Sequence, residues 1–536
     1  MDEPARPVAI IGAGPIGLIT ALGLIHYGVP VIVFEAHDQP SHETKAGTVL
    51  TRTLEVLHRY GALPEVLSAA LRIDEIGELD RASGRSTGSV FTGQLTEDTR
   101  FPFVINIPQH ELEPVLHAAL HRKDPAVLRM GHRLRSFRDA GDHVTLELDG
   151  PDGAVSVEAS RLLGCDGGRS SVREQLGITV EGKTLPERYM LVDIRCDLDV
   201  ANPRDYPYLA YFGDPTEWMI LIRQPHCWRF LYPLPPGEPE PDQEALVARA
   251  RRFIGDVDDL AVLGSNVYQV HHRVATTWNV GRVYLMGDAA HLITPMWALG
   301  LNTGVLDASN LPWRLAWVQR GWADPSLLDG YAQEQAPVAV RGSGEMAEAA
   351  RAVMERRSRG TTDLTTGAWG TAFTRSLLGV SLDVDGTDDW SMVRTGVQPS
   401  AVRAGDRVPD LPLFAPTGPV YLHDLVDDTF LALHFTDTRR HPSLIASHVR
   451  GLRQLVVSRW DAPHDSGLRE KALFDPGDRV RRRFGFGGDH LVLVRPDAHV
   501  AAILPWNQNS AAEAVRLYRK VVHGPVGDRN PREVHQ

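Results

Sequence analysis

The feature that most constrains this chain is Gly12-Ala13-Gly14-Pro15-Ile16-Gly17, set between an apolar run at residues 8–11 and a helical apolar pattern over residues 18–27 that stops at Gly28. Glycines at this spacing permit a tight turn and let a pyrophosphate approach the backbone amides at a helix N-terminus. A second apolar strand is predicted at residues 31–35. It ends on Glu35, whose carboxylate is placed to accept hydrogen bonds from the 2′- and 3′-hydroxyls of an adenosine ribose. Strand, turn, helix and strand in this order begin a parallel sheet with right-handed crossovers. The turn selects a dinucleotide without saying which one.

With 536 residues the chain exceeds what one hydrophobic core organises, so two or three packed units are expected. No stretch is apolar for the roughly 18 residues a membrane span requires. Residues 1–7 lead into the first strand without the basic start and small-residue cleavage site of a secretory signal, which makes the cytoplasm the expected location. Cys165, Cys196 and Cys227 have no metal-type or CxxC spacing, so no metal and no disulfide are expected. A formal net charge of -12 repels a phosphate backbone, which argues against nucleic acid and for a small-molecule substrate.

Helices are expected near residues 53–58 and 110–120, and a β-hairpin at residues 143–148 and 154–158 around Gly150-Pro151-Asp152-Gly153. Residues 181–270 turn to strand-forming and aromatic types, including Tyr206, Tyr211, Trp218, Trp228 and Tyr232, and predict a mostly antiparallel lobe. The expected division is a discontinuous dinucleotide domain (1–180 and 271–358, the second part helix-rich), the lobe (181–270), a connector (359–400) and a C-terminal α/β domain (401–536).

Two further stretches follow predicted strands: Cys165-Asp166-Gly167-Gly168-Arg169-Ser170-Ser171-Val172-Arg173, and Gly287-Asp288-Ala289-Ala290-His291 running through Pro295 to Gly300-Leu301-Asn302. With the first turn they make the chain resemble the single-component (class A) flavoprotein aromatic hydroxylases, the group that includes para-hydroxybenzoate hydroxylase and related phenol and polyketide hydroxylases. The resemblance implies FAD as cofactor in a Rossmann-like domain. It assigns FAD contacts to Gly12, Gly14, Pro15, Ile16, Gly17, Glu35, Ala36, Gly287, Asp288 (ribityl chain) and Gln109, and to Pro295 with Gly300, Leu301 and Asn302. Asp166 and Arg173 are implied to support both FAD and NAD(P)H. No second strand-turn-helix glycine unit is present, which matches a family without a separate nicotinamide domain. Residues 401–536 resemble the thioredoxin-like domain of the larger members. They hold no cysteine, which excludes thiol exchange and leaves a packing or oligomer-contact role.

Two departures stand out. Lys45 occupies a segment where members commonly carry Arg, losing a planar multi-donor fork. Met296-Trp297-Ala298-Leu299-Gly300 replaces a usual Gly-Gly-Gln-Gly, which predicts a large ring near the flavin that narrows the pocket. The implied reaction is reduction of FAD by NADPH or NADH, addition of O₂ to give a flavin C4a-hydroperoxide, and hydroxylation of an aromatic substrate of phenolic, heteroaromatic or polyketide type. Tyr211, Arg223, His226 and Tyr232 are the candidate catalytic groups on the lobe, while His271-His272 reads as a structural pair. The alternatives are another flavin oxidoreductase, such as an oxidase or halogenase, or a non-catalytic flavin-binding interaction protein. The Trp-x-Trp-x-Ile-Pro segment expected of a halogenase is absent.

Overall fold

The strand Val8–Ile11 is buried along its whole length and lies between Arg161–Gly164 and Val31–Phe34, parallel to both. A strand enclosed on two faces must be apolar throughout, and Val-Ala-Ile-Ile is. The computed structural model describes residues 6–40, 47–80, 83, 85–196, 198, 206–214, 217–255, 260–357, 377, 379, 402–436, 449–459, 472–507 and 509–523. Lys45 and most of the expected connector at 359–400 fall outside these residues. The first sheet has six strands, in the order Asn279–Val280, Val283–Leu285, Arg161–Gly164, Val8–Ile11, Val31–Phe34 and Leu128–Arg129. The helix Pro15–His26 begins with Pro15, whose missing N–H is no loss in a first turn, and it packs on the long helix Leu299–Gln319. The expected hairpin forms as Val144–Gly150 and Gly153–Ala159, closing at Gly150 opposite Gly153.

The second layer is an eight-stranded sheet built on two long antiparallel strands, Val180–Arg195 and Ala261–Ala275. Trp228–Leu234, Met219–Arg223 and Leu209–Gly213 continue it, followed by Glu75–Asp80 and Ser86–Phe91. The lobe is therefore larger than residues 181–270. It recruits residues 75–91 through a parallel pairing of Leu209–Gly213 with Glu75–Asp80, a long-range contact that no local pattern announces. Alternation sorts this sheet into two faces. Met190, Val192, Phe212, Phe230 and Tyr232 pack against the helix Gln243–Ile254, whereas Leu191, Tyr211 and Leu231 face the first domain.

The C-terminal domain carries a seven-stranded sheet with Phe430–Thr436 between parallel Leu452–Ser458 and antiparallel His490–Val494. The turn after His490–Val494 inserts into the first domain. Tyr27 Oη and Arg59 Nη1 donate to the carbonyl of Pro496 (3.0 and 2.9 Å), and Trp313 Nε1 donates to Asp497 Oδ2 (3.2 Å). No helix among the described residues is long and apolar enough to cross a membrane.

Candidate active site

A cavity of about 1170 Å³ starts at the Gly-rich turn and extends over the inner face of the eight-stranded sheet. That exceeds the ~300–1,000 Å³ usual for one small ligand and leaves room for a cofactor and a substrate together. The turn is shaped by its own backbone. Gly12 has φ +102°, and a Cβ there would stand 2.5 Å from the carbonyl oxygen of Cys165; one at Gly17 would stand 2.0 Å from that of Gly12. Those two glycines let the turn close on the neighbouring strand. A Cβ added at Gly14 would meet nothing within 4 Å among the described residues beyond its chain neighbours, so this glycine borders open space that a ligand can enter. Gly12, Gly14, Pro15 and Ile16 line the cavity, and Gly17 does not.

Glu35 and Ala36 lie on the same wall. Glu35 accepts from the N–H of Ala13 (2.8 Å) and from the N–H and Nδ1 of His37 (3.0 and 2.7 Å). Burial alone would raise its pKa, but these donors outweigh it and hold the carboxyl below its ordinary value. An ionised Glu35 thus braces the turn and offers an acceptor to a ribose.

Asp166 supplies the sharpest sign of a missing donor. Its Oδ2 accepts from Ser171 Oγ and the N–H of Val172 (3.0 and 3.1 Å), while its buried Oδ1, on a residue of the cavity wall, has no hydrogen-bond partner among the described residues. A buried carboxylate oxygen left this way is costly unless a ligand hydroxyl or amide reaches it. Arg173 does not face the main cavity. It donates to the carbonyls of Ala289 (3.0 Å) and Gly168 (2.8 Å), so it ties the Asp166 turn to the Asp288 turn, and it lines an adjoining mouth with Arg169 and Arg273. Asp288 stands exposed to the cavity on the short turn Gly287–Ala289, with Gln109 opposite at the start of the helix Gln109–Lys123. Gly287 lies behind the wall, where its N–H donates to Asp307.

Pro295, Ala298, Gly300 and Leu301 close the cavity beside the start of the helix Leu299–Gln319. Asn302 is placed differently from expectation. Its Oδ1 accepts from the N–H of Leu50 and Thr53 Oγ1 (2.9 and 2.7 Å), and its Nδ2 donates to the carbonyls of Thr48 and Ala298 (3.2 and 2.7 Å). A side chain saturated in this way is a clip between two cavity segments and has nothing left for a ligand. Trp297 also differs: its ring lies in an apolar cluster with Leu50, Tyr189 and Met346 and leaves the cavity wall to Ala298.

On the sheet side the wall is apolar, formed by Leu191, Leu209, Ile220, Ile222 and Leu231, with polar interruptions at Tyr211, Arg229, Tyr268 and Gln269. Burial pushes the Tyr211 and Tyr268 hydroxyls far above the ordinary phenol range, which makes them hydrogen-bond donors at neutral pH and not bases. Arg229 is held by Asp193 through Nε and Nη2 (2.8 and 3.0 Å). Three of the four candidate catalytic groups lie elsewhere. Arg223 folds back on the carbonyls of Gln224 and Cys227, His226 has its side chain 80% exposed at the hairpin tip, and Tyr232 points to the opposite face beneath Arg249. Arg229 escaped the sequence reading although it sits one alternation step before Leu231. His271, read from sequence as half of a structural pair, is a wall residue. It lines both the cavity and an adjoining mouth of about 670 Å³ that carries Arg169, Arg173 and Arg273.

Away from the cavity, Glu55, Asp410 and His423 bring three metal-type donors together. Their lone pairs are already spent on the protein, since Glu55 accepts from Arg52, Arg407 and Thr99, and Asp410 from Arg100 and the N–H of His423. The cluster is an ion-pair network between domains.

These residues fit FAD: an open glycine at a helix N-terminus, an ionised ribose acceptor, and an unsatisfied carboxylate oxygen on the wall. The family described as FAD binding domain matches residues 5–342. Para-nitrophenol 4-monooxygenase of Pseudomonas sp. (strain WBC-3) is 30% identical over 63% of this chain and 84% of its own. The 6-methylpretetramide 4-monooxygenase of Streptomyces rimosus is 29% identical over 92% of this chain and 90% of its own. Aklavinone-11 hydroxylase, solved as a ternary complex with FAD and aklavinone, superposes with a TM-score of 0.77 at 25% identity, covering 97% of this chain and 100% of that one. The chain belongs to the FAD binding domain family and is an FAD-dependent monooxygenase of the aromatic-hydroxylase type.

Proposed function

We propose that this chain hydroxylates a multi-ring aromatic substrate of polyketide type, with NAD(P)H as electron donor and O₂ as co-substrate. The observation that carries this reading is the continuity of the cavity from the cofactor turn to a broad apolar sheet wall with few polar groups. Similarity across nearly the whole length to 6-methylpretetramide 4-monooxygenase supports it, whereas likeness to the nitrophenol enzyme stops at 63% of the chain.

FAD, when bound, supplies the redox and oxygen-transfer chemistry. The protein's own contribution is to hold and enclose. Gly12, Gly14 and the N-terminus of the helix Pro15–His26 receive the pyrophosphate. Glu35 takes the adenosine ribose, and Asp288, with Asp166 beside it, takes the ribityl side. The N-terminal end of the helix Leu299–Gln319, where Gly300 and Leu301 line the cavity, favours negative charge at the ring system. The apolar wall excludes water, and Tyr211 donates a hydrogen bond that orients the substrate. NAD(P)H approaches through the mouth at Arg169 and Arg273. Burial and then Arg273 lower the pKa of His271, so the charge of that mouth at neutral pH rests on the arginines.

Titrating the holoprotein with phenols of one ring and of three or four fused rings, read by the flavin absorbance change, tests the substrate class. The fused-ring compounds are expected to bind at least tenfold more tightly. Tighter binding of the single-ring phenols would contradict the reading.

A further inference from the structure

The loop that closes the cavity after Pro295 contains two successive non-glycine residues in the left-handed region, Trp297 (φ 58°, ψ 20°) and Ala298 (φ 57°, ψ 27°). Among the described residues only Asp478 and Ala498 share this property, and both belong to the C-terminal domain. L-residues adopt this conformation at a cost, and two in a row persist only where the surroundings over-determine them. Glycine would remove that cost, yet none is used here, so the retained side chains need an explanation.

The two side chains go to opposite places. Ala298 faces the cavity, together with Pro295, Gly300 and Leu301. Trp297 is 5% exposed and does not line the cavity: the 296–298 turn packs on the helix Glu345–Arg357, and the ring belongs to an apolar cluster that joins Met346, Ala350 and Met354 of that helix to Leu191, Tyr211 and Leu231 of the sheet wall. The far end of the turn is held as well. The carbonyl of Ala298 accepts from Asn302 Nδ2 (2.7 Å), and its N–H donates to the carbonyl of Pro295 (3.3 Å). Leu299 then opens the helix Leu299–Gln319, whose first N–H groups lie at the cavity.

We propose that Trp297 is a positioning residue: its buried ring locks the strained turn, so that packing on the helix Glu345–Arg357 sets where the N-terminus of the helix Leu299–Gln319 meets the cofactor. The turn is shaped by an anchor outside the cavity instead of by glycine within it. Loss of the anchor lets the helix start retreat from the cavity, which weakens the stabilisation of negative charge there without removing any group that touches a ligand. This inference rests on the flavin reading of the cavity.

The test compares wild-type holoprotein with Trp297→Ala, Trp297→Phe and Ala298→Gly. The readouts are bound flavin per chain, visible circular dichroism of the flavin, its midpoint potential, and H₂O₂ formed per NAD(P)H consumed by the uncoupled reaction NAD(P)H + H⁺ + O₂ → NAD(P)⁺ + H₂O₂. Trp297→Ala, which keeps the strain and removes the anchor, is expected to retain flavin while shifting the potential to more negative values, altering the dichroism and raising peroxide release at least threefold. Trp297→Phe is expected to restore most of the wild-type signature, and Ala298→Gly to raise the Tm. If Trp297→Ala does not fold, Trp297→Leu is read by the same criteria. A lowered Tm with potential and dichroism unchanged would reduce Trp297 to core filling and overturn the proposal. A wild-type protein that binds no flavin would instead overturn the reading on which the proposal stands.

Discussion

Asp288 and Asn302 both carry short polar side chains near the cofactor site, yet their environments give them different work. Asp288 is exposed to the cavity, so removing its carboxylate takes away a charge-assisted contact worth about 1.5–3 kcal/mol. Asp288→Ala is therefore expected to weaken FAD binding ten- to a hundredfold, measured by flavin absorbance after gel filtration; full flavin occupancy at nanomolar protein would contradict its role. Asn302→Ala leaves the N–H of Leu50 and the carbonyls of Thr48 and Ala298 without their buried partner. The expected loss is about 2–4 kcal/mol of stability, seen as a lower denaturation midpoint even in the apoprotein. The two left-handed residues at 297 and 298 cost about 2–4 kcal/mol together. Burying the ring of Trp297 returns about 3 kcal/mol, so the anchor and the strain are of comparable size.

At the scale of elements, the eight-stranded sheet decides which lobe residues meet a substrate. Tyr211 and Tyr232 look alike in sequence, but Tyr211 shares the cavity face with Leu209 and Ile220 while Tyr232 shares the helix face with Phe230. Tyr211→Phe is expected to raise the KM for the aromatic substrate severalfold with FAD retained. Tyr232→Phe is expected to leave kcat and KM within about twofold, because its buried hydroxyl has no hydrogen-bond partner among the described residues, so its removal costs little. Steady-state kinetics on both variants distinguishes the faces. A second expectation concerns the basic mouth: Arg273→Ala should raise the KM for NAD(P)H about tenfold and flatten its salt dependence. The three glycine-bearing turns were legible from sequence because each is local, a strand end, a turn and a helix start within a few residues. The sheet face was not, because it depends on pairings such as Ala210 with Gly77 across more than a hundred residues. The bridging contact of Arg173 was hidden for a related reason: only the fold brings its guanidinium to the carbonyl of Ala289.

Across the whole molecule, the cofactor domain and the C-terminal domain are fastened by buried charge. Burial alone would raise Glu55, but Arg407 outweighs it and holds this carboxyl well below its usual range. Glu334 is likewise held at about 2 by Arg314 and Arg495 against the effect of burial. His423 is the acid-sensitive member. Desolvation lowers its pKa from 6.5 to about 4, against the attraction of Asp410 and Glu55 and with help from Arg407 and Arg59. Between pH 6.5 and 4 the unfolded chain binds a proton there that the folded one does not, so stability falls as the pH drops through this window. The contribution is at most on the order of 3 kcal/mol. Below about pH 4.5 Glu334 adds to the loss, as its carboxyl protonates first in the unfolded chain. Chemical denaturation between pH 7.5 and 4 is expected to show this decline, and His423→Gln to make it shallower above pH 4.5.

The central claim is that the cavity holds FAD beside an aromatic substrate and directs oxygen onto it. Incubation of the holoprotein with NAD(P)H, a fused-ring phenol and ¹⁸O₂ tests this most directly, with the product read by mass spectrometry. The account predicts one ¹⁸O atom in the aromatic product and close to one NAD(P)H consumed per product formed. Consumption of NAD(P)H with all electrons recovered as H₂O₂ and no labelled product, for every phenol that perturbs the flavin spectrum, would contradict it.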